Sequence, residues 1–170
     1  GVRRNIKNMN PIELNYSESL IRKAVRSFWW KQIGPLFPIV LTLLTALLIY
    51  RLASGDLTWQ VGALGAVIII AFATMSATYI VHLRRSLLRF KQMKTPKATP
   101  ELGEERFSVA SDIGLSEVEW SLVKKIWRFE QVWLLFFSAN EFMTLPIANL
   151  NKESKEFITS KAKQNGAKIA

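Results

Sequence analysis

The sequence predicts an α+β membrane protein: an N-terminal amphipathic helix, a two-helix transmembrane hairpin, and a small antiparallel β domain capped by a C-terminal helix. Three observations predict it. Two long apolar runs lie between residues 34 and 83. Basic residues flank those runs and are absent from the loop between them. After residue 104 the apolar pattern changes to the two-residue period of β-strands.

The apolar runs predict two membrane-spanning helices. The first covers residues 34–52 and has one charge, Arg51, at its far end; the second covers 61–83 and has no Asp, Glu, Lys or Arg. A helix needs roughly 20 apolar residues to cross about 30 Å of hydrocarbon. A helix of a small soluble domain would be shorter and would keep a polar face.

The charge is distributed unevenly around these runs. The net charge is +10, with seven basic and two acidic residues in 1–33 and six basic and no acidic residues in 84–97. Residues 98–170 have nine basic and ten acidic residues. A nucleic-acid-binding domain would hold the basic surplus itself. We therefore expect no nucleic acid as a partner, and expect a lipid bilayer with anionic headgroups, which juxtamembrane basic residues bind.

The same distribution predicts the topology. The loop between the apolar runs contains Asp56 and no Lys or Arg. The positive-inside rule then places both termini in the cytoplasm and the loop on the other side of the membrane.

The segment before the hairpin predicts a strand and an interfacial helix. Residues 1–8 have no apolar periodicity and are expected to be disordered or an upstream extension. Residues 11–16 alternate as a short strand does, and Ser17 is the predicted N-cap of a helix with one apolar and one basic face. The predicted membrane-interface anchors are basic and Trp residues: Arg22, Lys23, Arg26, Trp29, Trp30, Lys31, Trp59, Arg84, Arg85 and Arg89.

Small residues on both spanning helices predict how they pack. Small side chains let two helix backbones approach closely. The predicted helix–helix packing residues are Thr42, Ala46, Gly62, Ala66, Ala73 and Ala77. No charge lies at mid-depth, which argues against a pump or channel formed by this hairpin alone.

The remainder of the chain predicts a stem, a linker and a domain. The second helix continues into a basic stem, so the hairpin with its stem covers 34–97, and residues 95–103 form a linker. Strands in 104–147 and one helix over 152–164 predict an α+β unit over 104–170, distinct from the N-terminal region 1–33. The predicted domain core is Phe107, Val109, Trp120, Leu135 and Phe157.

Residues 104–158 resemble the YcxB-like family of bacterial membrane proteins. The resemblance rests on the acidic-Trp step 119–121, the run 123–126, the aromatic-aliphatic strand 133–136 and the Leu-Pro step 145–146. The family's layout of two spanning helices and then this domain also matches. It implies a domain like the pleckstrin-homology (PH) fold and a place in the bacterial inner membrane. Basic residues often follow the Pro in this family, but 147–150 has none here, so a lipid-phosphate role at that place is not carried over.

No pattern indicates a catalytic, metal or cofactor site. The chain has no Cys and one His, and His82 is predicted to be an interfacial polar residue. Ser121 and Lys124 match an S-x-x-K pattern by chance, because that mechanism needs a helix start and further motifs. Glu117 and Glu119 point the same way from a strand, and a solvated face explains them better than an acid/base pair. We expect a protein that is not an enzyme.

Three functions remain open from the sequence. The first is an inner-membrane interaction module whose small domain binds and regulates a protein or lipid partner. The second is an immunity protein that neutralises a membrane-acting bacterial toxin. The third is a subunit of a small oligomeric channel or transporter, which would make the chain a homo-oligomer.

Overall fold

The computed structural model describes residues 12–139 and 141–170, so the expected disorder of residues 1–8 lies outside the described residues. Within the described residues the chain is α+β, with four α-helices and two four-stranded sheets. The helices are α1 (Glu18–Ile33), α2 (Leu36–Ala53), α3 (Trp59–Gln92) and α4 (Lys152–Gln164). The strands are β1 (Leu14–Asn15), β2 (Lys97–Leu102), β3 (Arg106–Ser111), β4 (Gly114–Glu119), β5 (Lys125–Arg128), β6 (Val132–Phe136), β7 (Phe142–Pro146) and β8 (Lys168–Ile169).

The chain divides into two compact units, and the first is discontinuous in sequence. The sheet unit consists of the described residues up to Ala24 together with Leu87–Ala170, and the helical unit is Val25–Ser86. Both sheets and α4 belong to the sheet unit. The N-terminal strand therefore joins the C-terminal domain and does not form a separate N-terminal region.

The first sheet, sheet A, has the antiparallel order β1-β2-β3-β4. The predicted linker over 95–103 is wrong, because β2 occupies most of it. The amide of Gly103 donates to the Arg106 carbonyl, so strand alternation turns the nitrogen of Pro100 toward the β1 side of β2. The two-residue β1 pairs only Lys97 and Ala98, so this proline removes no pairing hydrogen bond.

The second sheet, sheet B, has the order β7-β6-β5-β8. Its strands are antiparallel except for β8, which runs parallel to β5 after the chain has passed through α4. No local pattern in the sequence predicts β8. Within the region 104–147, where the sequence predicts strands, residues Trp120–Leu122 form a 3-10 helix that turns the chain from sheet A to sheet B. Helix α4 has the predicted bounds.

The core of the sheet unit lies between the two sheets and α4. Phe107, Val109, Trp120 and Leu135 are buried in it, and Phe157 is half-buried and packs against it. The indole Nε1 of Trp120 donates to the Gly103 carbonyl at 3.0 Å, and its ring lies 4.7 Å from that of Phe107. This hydrogen bond and ring contact explain how a Trp can be only 1% exposed without leaving its N–H unpaired.

Sheet B is buried on both faces. Ile126 and Leu135 point into the core, while Trp127, Leu134 and Phe136 alternate with them and are also buried. Trp127 and Phe136 lie 4.7 Å apart between ring centroids. Because both faces are covered, the buried residues of β5 include the neighbours Ile126 and Trp127, and one-sided alternation is absent there.

Helices α2 and α3 are both long and apolar enough to cross a membrane. Their best 18-residue windows have a mean hydropathy of 2.1 and are only 6% buried. Helix α3 runs on past the apolar segment to Gln92 and so contains the first part of the predicted basic stem, whereas Lys97, the last residue of that stem, begins β2.

Candidate functional site: surfaces of the sheet unit and the helical unit

Strand β1 is held in the sheet unit by a buried side chain and by pairing with β2. Leu14 is 0% exposed, and it pairs with Ala98 on β2. The amide of Tyr16 donates to the Pro96 carbonyl at 2.8 Å, so the strand-like pairing of β1 with β2 continues one residue further. Residues 16 and 96, which flank the whole helical unit in sequence, are therefore neighbours.

Side chains from β1 and its surroundings also join the two sheets. The Tyr16 hydroxyl donates to the Thr144 carbonyl on β7 at 3.1 Å, and the Asn149 side-chain amide donates to the Glu13 carbonyl at 2.8 Å. Burial raises the pKa of Tyr16 to about 12, while the positive charge of Arg89 acts in the opposite direction. The tyrosine is thus held as a neutral hydrogen-bond donor at this corner.

The outer surface of sheet A carries charge. Glu117 and Glu119 point outward from β4, while Val118 between them packs against the core. Arg106 on β3 donates to Glu117 at 3.1 Å. That hydrogen bond, followed by the charges of Glu117, Glu119 and Glu105, raises the pKa of Arg106. These groups form a solvated charged surface, as the sequence indicates.

The S-x-x-K residues do not form a nucleophile–base pair. The Lys124 ammonium donates to the backbone carbonyl of Ser121, and the Ser121 hydroxyl donates to a Glu119 carboxylate oxygen at 3.2 Å. Among residues 12–139 and 141–170, no group of three or more His, Cys, Asp or Glu side chains is placed to hold a metal ion.

The apolar face of α1 is buried within the protein. Ile21, Ala24, Val25 and Phe28 are each 5% exposed or less. These side chains are covered by other residues of the chain, so this face is not free to pack on lipid, and the place of α1 at the membrane interface stays a prediction. Within the helical unit, the ring of Phe28 lies 5.0 Å from that of His82.

The predicted interface anchors divide into two groups. Trp29 is half-buried, and its indole nitrogen donates to the Met75 carbonyl on α3 at 3.3 Å, so it packs on protein. Lys23 is also half-buried. The remaining anchors are exposed: Arg22, Arg26, Trp30, Lys31, Trp59, Arg84, Arg85 and Arg89.

The six predicted helix–helix packing residues are all exposed: Thr42, Ala46, Gly62, Ala66, Ala73 and Ala77. The predicted packing through small residues is therefore wrong. The buried residues of α2 and α3 are larger, namely Leu41, Val61 and Ile68, and a Cβ added at Gly65 would meet Leu48 at 3.9 Å. The covered positions on these two helices are therefore bulky side chains, and sequence spacing alone does not distinguish the bulky face from the small one.

The loop between α2 and α3 is closed by Asp56. Its carboxylate accepts from the Thr58 amide at 3.0 Å and from the Arg51 guanidinium at 2.7 Å. The Thr58 hydrogen bonds, and then Arg51, lower the pKa of Asp56. Arg51 therefore has a partner within the loop, which the sequence reading did not assign to it.

Comparison with known proteins confirms the family resemblance. The model of the YcxB-like protein family matches residues 102–160, which lie wholly within the sheet unit. Neither the curated proteins nor the solved structures contain a significant match to the chain.

Proposed function

We propose that the protein is a non-enzymatic membrane protein of the bacterial inner membrane, in which the helical unit is the anchor and the sheet unit presents a binding surface to a protein or lipid partner. One observation carries the proposal. Strands β1 and β2 pair in one sheet although the two candidate membrane spans separate them in sequence. Sheet A therefore forms only when the segments on both sides of the helical unit in sequence come together.

This pairing supports the proposed topology independently of the charge distribution. Residues 16 and 96 are hydrogen-bonded neighbours, so they must lie on the same side of any membrane that the chain crosses. The number of crossings between them is then even, and α2 and α3 supply two. The excess of Lys and Arg outside the loop makes that side the cytoplasm.

The order of elements supports a PH-like domain. Four antiparallel strands of one sheet are followed by three antiparallel strands of a second sheet and then by α4. This is the arrangement expected for a bent sheet capped by a C-terminal helix. In this interpretation the helical unit is an insertion between the first and second strands of the domain.

Cysteine labelling in intact cells tests the anchor and the topology. The chain has no Cys, so single cysteines can be introduced at Ser54, in the loop, and at Ser160, exposed on α4. We expect a membrane-impermeant maleimide to label the first in intact cells and the second only after permeabilisation. A chain that is soluble and monodisperse without detergent would contradict the anchor.

Crosslinking in intact cells tests the interaction role. A photoreactive residue on the exposed surface of the sheet unit should capture a defined partner that is absent with the same residue at lipid-facing Leu43. If purification in detergent recovers only the protein itself, without crosslinked protein or retained lipid, the interaction role is wrong.

The exposed small residues of α2 and α3 favour a second candidate. A face with Gly62, Ala66, Ala73 and Ala77 uncovered can accept another membrane helix at close range. That helix could belong to a toxin, in an immunity protein, or to a second copy, in an oligomer. Equal killing of toxin-challenged cells with and without the protein, together with a monomer in native mass spectrometry, would remove this candidate.

A further inference from the structure

Strand β4 has a long free edge. It is the last strand of sheet A, it has six residues, and five of them are exposed. The strands at the other described sheet ends are shorter or adjoin another element: β1 and β8 have two residues each, and β7 lies beside β1. Long strand edges are usually protected by Lys, Pro or a bulge because they pair readily with other chains. Strand β4 contains neither Lys nor Pro.

The backbone groups on this edge can be assigned. The Trp120 amide donates to the Glu105 carbonyl, which continues the β3–β4 register by one residue pair. Antiparallel strands alternate between residues bonded to the neighbour and residues facing away from it. Leu115, Glu117 and Glu119 therefore direct their N–H and C=O groups to the free edge.

The side chains beside the edge indicate what would bind there. Leu115 is 66% exposed, and Ile113 in the adjoining turn is 45% exposed. Glu117 and Glu119 follow Leu115 on the same face, with Glu105 nearby, and Arg106 is the basic residue among them. The edge thus offers backbone hydrogen bonds, an apolar contact at one end and excess negative charge at the other.

We propose that a basic, extended segment of a partner protein adds to β4 as a fifth strand of sheet A. Recognition by strand addition takes its affinity from main-chain hydrogen bonds and its specificity from alternate side chains. An apolar side chain of the segment packs on Leu115, and Lys or Arg side chains lie opposite Glu117 and Glu119. The inference rests on the proposed function and names the partner class and the surface.

The two other possible occupants fit the charge less well. In a second copy paired antiparallel and centred on Glu117, that carboxylate would oppose itself, and like charges directly opposite are destabilising. An anionic bilayer would be repelled by the same carboxylates. The second copy is an outcome of the test below.

Peptide binding to the full chain tests the proposal. The chain is placed in nanodiscs of phosphatidylcholine. The probe is a labelled, acetylated eight-residue peptide in which one Val and two Lys occupy three alternate positions, so that they share one face of the strand, and Ser occupies the other positions. Its affinity is compared with that of the same peptide carrying N-methyl groups on alternate residues, which keeps the charge and removes donors. We expect the methylated peptide to bind at least about tenfold more weakly, since two or more hydrogen bonds are lost.

Paired variants locate the site. Glu117→Gln with Glu119→Gln should weaken binding on the order of tenfold. Glu153→Gln with Glu156→Gln on α4 makes the same charge change, also removes one exposed ion pair, and should have no effect. In hydrogen exchange, the bound peptide should protect the amides of Leu115, Glu117 and Glu119 and leave that of Val118 unchanged.

Several results would overturn the proposal. These are no binding, equal binding of both peptides, protection elsewhere, equal effects of the two variant pairs, or binding to empty nanodiscs of the same lipid. A dimer in native mass spectrometry that the Glu117→Gln and Glu119→Gln changes strengthen would assign the edge to a second copy. Crosslinks elsewhere on the sheet unit in cells would leave the proposed function standing while this inference fails.

Discussion

Large apolar side chains are mostly buried in the sheet unit of this chain and mostly exposed in the helical unit. In the sheet unit Ile126 and Leu134 are 0% exposed, and few large apolar side chains are exposed. In the helical unit Leu43 is 65% exposed and Ile69 is 70% exposed, and both lie in stretches of α2 and α3 that contain no charged residue. A folded soluble protein seldom leaves so large an apolar surface open. The sheet unit therefore buries its apolar side chains within the chain, whereas the helical unit leaves an apolar surface exposed, which in the proposed function the bilayer covers.

The largest expected effect is in the core of the sheet unit. Trp120→Ala removes a buried ring together with its hydrogen bond to Gly103. Large-to-small core changes of this kind cost about 3–5 kcal/mol, so the free energy of unfolding of the sheet unit should fall by that amount. Chemical denaturation in detergent, followed by hydrogen exchange of β3 and β5 amides, measures it.

A matched change in the helical unit sharpens the comparison. Leu43→Ala also truncates an apolar side chain, but an exposed one, so the same amides should exchange as they do in the wild type. If Leu43→Ala destabilised the sheet unit as strongly as Trp120→Ala, then Leu43 would contribute to the packing of that unit, and the contrast between the two units would be wrong.

The next largest effect is on membrane insertion, which should depend on the helical unit and not on the sheet unit. Ile69→Arg places a charge near the middle of the apolar segment of α3, residues 61–83, where an Arg raises the apparent insertion free energy of a membrane helix by about 2.5–3.5 kcal/mol. The fraction of chain inserted, measured by translation into membranes, should fall. Leu115→Arg makes the same exposed apolar-to-basic change on β4 and should leave insertion unaltered. Equal insertion of both variants would mean that Ile69 does not face lipid.

How far the sequence predicts each unit follows from the range of the interactions. Hydropathy and alternation are local patterns, and from them α2, α3, α4 and most strands of the sheet unit can be located. The pairing of Leu14 with Ala98 joins residues separated by the whole helical unit, so no local pattern indicates it. For the same reason β8 was missed, because its partner β5 lies on the far side of α4 in sequence.

The candidate surfaces follow the same rule. The outward direction of Glu117 and Glu119 depends on strand alternation alone and was predictable. The free edge of β4 was not, because it depends on the order of strands in the sheet. The packing of α2 and α3 was predicted wrongly, since small and bulky faces both recur at helical spacing and only the fold shows that Leu41 and Ile68 are covered.

A smaller effect concerns how helices begin in the two units. The Asn151 side chain accepts from the Ser154 amide at 2.7 Å and so caps α4. Pro35, at the N-cap position of α2, makes no side-chain capping hydrogen bond. Asn151→Ala should lower the free energy of unfolding of the sheet unit by about 0.5–2 kcal/mol. Pro35→Ala should change membrane insertion little, because no capping hydrogen bond is lost. A neutral Asn151→Ala would mean that packing alone holds α4.

The smallest effect concerns Tyr16, the half-buried tyrosine that follows β1 in the sheet unit. Tyr16→Phe removes the hydrogen bond to the Thr144 carbonyl and should cost about 0.5–1.5 kcal/mol at neutral pH. Because the folded-state pKa of Tyr16 is raised from 10.0 to about 12, the unfolded chain loses this proton first. The contribution of Tyr16 to stability is therefore complete below pH 10 and is lost as the pH rises to about 12. The difference in unfolding free energy between wild type and Tyr16→Phe, measured across that window, should shrink as the pH rises. A difference that stayed constant to pH 12 would mean that the β1 corner holds its tyrosine in contact with water, and that the sheet unit is looser at β1 than its core.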